Sequence, residues 1–212
     1  MSGLVGFGKV WRGLVWYIQV NQGGEKLEFG KVQVKIRGLT PLMMNRLSPE
    51  SLRRETRSTT KEYSSEEDAR NSAYIATING KEQLYIPSYA VYTMIVQTSG
   101  LYKSGKINLR SLLAGTIRVE PEKIPLGHCN YEIDERPVVI QRARVLKSRA
   151  KIPQWEAEFN IIYNKAVLTG DIIMKLQAIL EDGGTRFGLL DYRPQHKGWF
   201  GTFTVENYEA VA

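Results

Sequence analysis

The densest chemistry-bearing run in the chain is RPVVIQRARVLKSRAK, residues 136–151. There Arg136, Arg142, Arg144, Lys147, Arg149 and Lys151 place six cations in sixteen residues with no acid among them. Cations spaced along an extended segment suit the holding of successive phosphates, because each contact releases condensed counterions. A second group, Arg186, Tyr192, Arg193, His196, Lys197 and Trp199, crowds a glycine-studded loop and mixes positive charge with rings on which bases can stack. Arg37, Asn45 and Arg46 complete the set, the last two following Met43 and Met44 in a loop. Six phosphate contacts would make single-strand affinity fall with log salt at a slope of about −4, from roughly −0.7 per contact. Structural readings compete with this one. The basic run also suits a solvated strand or a subunit contact, the Gly-Trp-Phe turn suits a plug at the end of a core, and the methionines suit the core itself.

Catalytic readings find less support. His128 and Cys129 are adjacent, so in a strand they point to opposite faces and cannot act as base and nucleophile. His196 could serve as the base of a metal-free ribonuclease. Glu66, Glu67 and Asp68 could meet magnesium, but no distant acid is spaced against them, and they read better as a solvated helix start. One cysteine and two histidines cannot build a zinc finger. The expectation is therefore a chain without metal, cofactor or catalytic residue.

The 212 residues carry 42% apolar content, enough for a core, and 29 basic against 22 acidic side chains leave a net charge of +7. The calculated isoelectric point near 9.4 points to an anionic partner. A lone cysteine fits a reducing compartment, and residues 10–20 form an apolar stretch too short to span a bilayer. Together these set the expectation of a soluble, cytoplasmic protein that engages no membrane.

Positioning elements follow from pattern. Residues 1–30 read as an N-terminal arm or extra strand, rich in glycine. Val32, Val34 and Ile36 alternate with Lys31, Gln33, Lys35 and Arg37, as in a half-buried strand with a basic outer face. Residues 48–71 are polar with nearly balanced charge and read as a mobile insertion, a segment that orders on binding, or a solvated, functionally neutral loop. Asn79-Gly80 between two apolar runs predicts a hairpin with a type I′ turn, and Ser88 a helix cap with Gly100 closing that helix. Residues 101–125 read as short strands, and residues 155–163 as a strand burying Trp155, Ala157, Phe159 and Ile161. Ile172, Ile173, Leu176, Ile179 and Leu180 mark an amphipathic helix capped by Thr169 or Asp171 and stopped at Gly183-Gly184, with a closing strand over residues 201–208. This order predicts an α+β domain over residues 31–212, with two helices covering one face of an antiparallel sheet. Insertions are expected at about residues 46–73 and 101–150.

Three segments carry a family resemblance. VQVKIRGLTPLMMNR at residues 32–46, LYIPSYAVYTMIVQTSG at 84–100 and FGLLDYRPQHKGWFGTF at 187–203 resemble landmarks of the RAMP (repeat-associated mysterious protein) superfamily. They are similar to its opening strand and Pro-Leu loop, its strand-Ile-Pro-x-Ser-helix junction and its late glycine-rich loop. Ser88 stands where the family usually has glycine, and no basic residue follows in that helix before Lys103. The resemblance implies an RRM-like, ferredoxin-like fold. It is strongest to the backbone subunit of CRISPR effector complexes and to related phage-borne proteins. Such a subunit polymerises head to tail along single-stranded RNA beside other effector subunits, with a hairpin thumb, here within residues 101–150. Cleaving members use an acid, usually aspartate, from the loop after the first strand, and no aspartate precedes Asp68. The expected function is non-catalytic binding of guide RNA. A single-stranded DNA-binding protein of a phage or mobile element, a structural virion or assembly protein, and a metal-independent endoribonuclease are the alternatives.

Overall fold

The computed structural model describes residues 28–47, 64–140 and 143–211. The expected arm, apart from its last residues, lies outside these, as do most of the polar insertion and Arg142. The first strand, β1 (Phe29–Gly38), starts earlier than the alternation alone suggested. It pairs antiparallel with β11 (Glu156–Asn164) on one side and β12 (Phe203–Val211) on the other, and β11 pairs with β7 (Ile117–Glu120). The resulting order, β12-β1-β11-β7, is that of a ferredoxin-like sheet.

One face of this sheet is apolar because every second residue is. Val32, Val34 and Ile36 join Ala157, Phe159, Ile161, Ile117, Val119 and Phe203 in the core. Two helices cover them: α2 (Ser88–Ser99), through Val91, Met94 and Ile95, and α4 (Gly170–Asp182), through Ile172, Ile173, Leu176, Ile179 and Leu180. At roughly 1.5–3 kcal/mol per buried aliphatic side chain, this stripe fixes α4 on the sheet. Trp155 is core as expected. Its indole donates to the Thr40 carbonyl at 2.9 Å and meets Phe203 edge-on.

The insertions hold more structure than composition suggested. After β2 (Leu42–Met43), the polar stretch ends in a helix, α1 (Ser65–Ser72), where the Ser64 hydroxyl accepts from the Glu67 amide and three acids occupy the first turn. β3 (Ile75–Ile78) and β4 (Lys81–Pro87) form the expected hairpin, with Asn79 at φ 53° and Gly80 at φ 76° giving the positive angles that a type I′ turn demands. Beyond α2 come the small hairpin of β5 (Lys103–Ser104) and β6 (Ile107–Asn108), a helix α3 (Leu109–Thr116) that the sequence reading missed, and β8 (Lys123–Pro125). β9 (Glu132–Ile140) and β10 (Ala143–Ile152) then form a long antiparallel hairpin within the region where a thumb was expected.

One cap assignment needs correction. Ser88 is the first helical residue of α2, Pro87 occupies the cap, and no side chain caps it. The α-helix ends at Gly183 as expected, although Gly183 keeps right-handed helical angles and the chain continues as a π-helical turn, Gly183–Phe187. These glycines also serve close approach. A Cβ on Gly183 would meet the Met94 sulfur, and one on Gly184 would collide with the Phe203 carbonyl oxygen. Gly184→Ala is therefore expected to cost about 1–3 kcal/mol, read as a lowered urea midpoint. Gly170→Ala, where an added methyl meets nothing within 4 Å, should leave the midpoint unchanged or slightly raised.

Candidate nucleic-acid interface

The segment after β1 is held on both sides. Met43 and Leu42 pair with Lys151 and Ile152 of β10, while the Asp191 amide donates to the Met43 carbonyl at 3.1 Å and the Gly201 amide to the Pro41 carbonyl at 2.9 Å. This strip therefore joins the long hairpin to the late loop, residues 188–202, and aims Asn45 between them. In the late loop Leu190, Tyr192 and Lys197 all take positive φ angles, a conformation that costs non-glycine residues about 1–3 kcal/mol each and clusters at functional sites.

Between this strip, the late loop and the outer side of α2 lies a cleft of about 240 Å³. Asn45, Asp191, Arg193 and His196 line it opposite Tyr74, Tyr89, Thr93 and Gln97. The phenol oxygens of Tyr74 and Tyr89 are 3.0 Å apart, and burial pushes the Tyr74 phenol well above its ordinary range. Asn45 Oδ1 and Asp191 Oδ2 are buried with no hydrogen-bond partner.

Arg193 is less available than its charge suggests. It donates to the Leu190 carbonyl at 2.7 Å, to Gln195 Oε1 at 3.1 Å and to His196 Nε2 at 3.0 Å. Burial lowers its pKa, opposed by the nearby Asp191 carboxylate. Because a guanidinium only donates, His196 Nε2 accepts in this contact, so the lone pair a general base would use is engaged.

The basic run splits by strand parity. Arg144, Leu146 and Ser148 share one face of β10, and Val145, Lys147, Arg149 and Lys151 the other. Along the edge of β10 away from β9, Ser148 N donates to Asp68 Oδ2 and Ala150 N to Ser72 Oγ, each at 2.9 Å, so α1 lies against the hairpin base. On the second face, Arg149 is 7% exposed, stands 2.9 Å from Asp191 Oδ2 and lies over the Tyr192 ring at 4.9 Å. Its Nε and Asp191 Oδ2 are close enough for an ion pair but are not aligned as a hydrogen bond. Arg136, bidentate to Asp134, sits 5.2 Å over Phe200 and 5.8 Å over Tyr192. That hydrogen bond raises the Arg136 pKa, against burial.

Other expected cations are also paired. Lys151 meets Glu132 at 2.7 Å, Arg186 meets Asp182 at 3.3 Å, and Arg37 is held by Glu156 and Glu206. Arg37 lines a different opening, with His128 and Trp155, on the open side of the sheet. There Lys35 also meets Glu156 and Glu206, and the side-chain hydrogen bond between Lys35 and Glu156 raises the lysine pKa and lowers that of the glutamate. This face is thus charge-paired, and Phe29 at its edge lies under the Arg118 guanidinium at 5.4 Å. Among the described residues, Arg46, Arg144, Lys147 and Lys197 meet no carboxylate. Trp199 is 58% exposed, stacked on Phe200 at 4.3 Å.

The structure therefore brings together Asn45, Arg193 and His196 in the cleft, with Arg149 and Tyr192 behind Asp191 and Trp199 beyond Phe200. Arg37 and Arg186 are not part of this group. Tyr74, Tyr89, Thr93 and Gln97 escaped the sequence reading. The last three recur at every fourth residue of α2, a polar stripe opposite its apolar face that the sequence does display.

No protein-family profile matches the chain, and no curated protein does. Among solved structures, a chain of the type III-B Cmr-beta complex bound to cognate target RNA aligns over 87% of this chain and 61% of its own length, at 12% identity and a TM-score of 0.50. That likeness is one of fold. This chain spans about three-fifths of the length of that relative. A chain of a type IV-B CRISPR complex aligns over 86% of this chain and 90% of its own, at 10% identity and a TM-score of 0.46. The α+β antiparallel architecture is the one expected.

If the Arg149–Asp191 contact ties hairpin to loop, Asp191→Ala should cost up to about 3 kcal/mol, since it strands a buried charge. An Arg149→Met, Asp191→Leu double variant should recover part of that loss. Equal and additive losses in urea melts would mean that the two groups do not interact.

Proposed function

We propose that this chain binds single-stranded RNA without cleaving it, as a repeating backbone subunit of a CRISPR-type ribonucleoprotein. One observation carries the reading. The three segments that resemble RAMP landmarks, far apart in sequence, converge on one cleft at the base of the long hairpin. Residues 41–46, the outer side of α2 and residues 188–202 all contribute to it. A fold of this kind hosts many functions, so the weight rests on this convergence and not on topology.

The chemistry agrees. Arg46 and Lys197 flank the cleft and Lys147 lies on the hairpin face beside it. Trp199 continues the Phe200 stack outward with its ring available to a base. Beyond α1, the hairpin presents Val139, Val145 and Leu146 to solvent, apolar side chains suited to separating bases or meeting a neighbouring copy. Head-to-tail copies and other effector subunits are the partners of this reading. His196, engaged by Arg193, supports the non-catalytic version.

The three unpaired cations on this surface, Arg46, Lys147 and Lys197, in place of six predict a salt slope near −2, from roughly −0.7 per contact, in filter binding of single-stranded RNA. Trp199→Ala should weaken binding by about 1–3 kcal/mol. Single-stranded DNA of equal length should bind more weakly. Equal or tighter DNA binding would favour the mobile-element alternative, and no retention of either strand at low salt would remove both.

A further inference from the structure

We propose that residues 14–20 of one copy pair antiparallel with the free edge of β12 in the next copy, joining copies by a donated strand. The inference deepens the head-to-tail part of the proposed function by naming the two surfaces that meet, and its grounds are independent of RNA. β12 ends its sheet, with β1 on one side and no described strand on the other. The start of β12 is covered, because Gly184 packs against the Phe203 carbonyl oxygen. Farther along, the edge opens. The Gly38 amide bonds to the Trp155 carbonyl on the β11 side, so by antiparallel alternation Lys35, Gln33 and Lys31 bond towards β12, opposite Asn207, Glu209 and Val211. Tyr208 and Ala210, between these, turn their peptide groups outward. Such an edge is a template for another strand unless something blunts it. Among the described residues, β9 carries Pro137 and β7 has only four residues, whereas β12 runs nine residues without proline, lysine or arginine. Its bulge opposite Lys35 and Ile36 leaves the stretch from Tyr208 to Val211 regular.

The chain itself supplies a complement. Leu14, Trp16, Ile18 and Val20 alternate with Val15, Tyr17 and Gln19, an uncharged run rich in β-branched and aromatic side chains. Residues 1–24 hold Lys9 and Arg12 and no acid, while β12 holds Glu206 and Glu209 and no base. Val205 and Tyr208, half-buried at the rim of the core, offer apolar contact to one face of the incoming strand. A donor from the same copy does not fit. Antiparallel to β12 means parallel to β1, and parallel strands of one sheet need a connection of about a dozen residues or more, whereas residues 21–28 supply eight. A donor from the next copy has no such limit. Because donor and edge are different surfaces, each copy can give and receive, and the contact propagates.

The test uses the full chain in a Cys129→Ser background, one preparation carrying Ile18→Cys and another Ala210→Cys. Mixed with a short bis-maleimide, they should give a covalent dimer with one chain of each kind, identified by the joined peptides. A chain carrying both cysteines should not close on itself when dilute. Ala210→Pro, which removes only an outward amide, should weaken self-association in sedimentation about tenfold, with an unchanged urea midpoint, and Ala210→Val should not. Peptides joined within a single chain, association unaffected by Ala210→Pro, or a full chain that stays monomeric would each overturn the proposal. Filter binding of a short RNA reads single copies, so the RNA-binding reading can stand where this contact falls and can fail where it holds.

Discussion

The contact on which the rest of this surface depends is Arg149 against Asp191, capped by the Tyr192 ring. A guanidinium almost wholly removed from water is tolerated only where a carboxylate and a ring face compensate for lost hydration. Meeting that need fixes the late loop against the base of the long hairpin. Asp191 in turn bonds through its amide to Met43, so the strip carrying Asn45 is held by the same residue. One buried cation thus sets the relative positions of three segments that the chain supplies far apart.

This arrangement divides the basic residues into two populations. Arg136, Arg149 and Lys151 act within the protein, held by carboxylates or rings, and the open sheet face is neutralised in the same manner. Of the candidate cations among the described residues, Arg46, Arg144, Lys147 and Lys197 have no carboxylate within ion-pairing distance. Three of these four, Arg46, Lys147 and Lys197, lie at the cleft or on the hairpin face beside it. The open sheet face carries paired charges, and the candidate interface lies at the loop rim.

Much of the scaffold was legible in the sequence because periodicity reports burial. The alternation of Val32, Val34 and Ile36 and the helical spacing of Ile172, Leu176 and Ile179 each have one physical cause. The Asn79-Gly80 turn was legible because few dipeptides accept two positive φ angles. The N-cap of α2 was misread, and the close packing of Gly183 and Gly184 against Met94 and Phe203 is a tertiary demand that local pattern cannot express. Helix α3 went unread because Leu109, Leu112 and Leu113 supply too short a period between breakers. The candidate site was legible only in its residue types. Nothing in RARVLKSRAK says that Arg149 meets an aspartate forty-two positions later.

The central claim is that the cleft and the loop rim beside it form one surface that grips a single strand. Ultraviolet crosslinking of the full chain to single-stranded RNA, followed by peptide mapping of the adducts, tests it most directly. The account predicts adducts at Tyr74, Tyr89 and Trp199, in the peptides that border the cleft. Adducts confined to Phe29 and the open face of the β12-β1-β11-β7 sheet would contradict it.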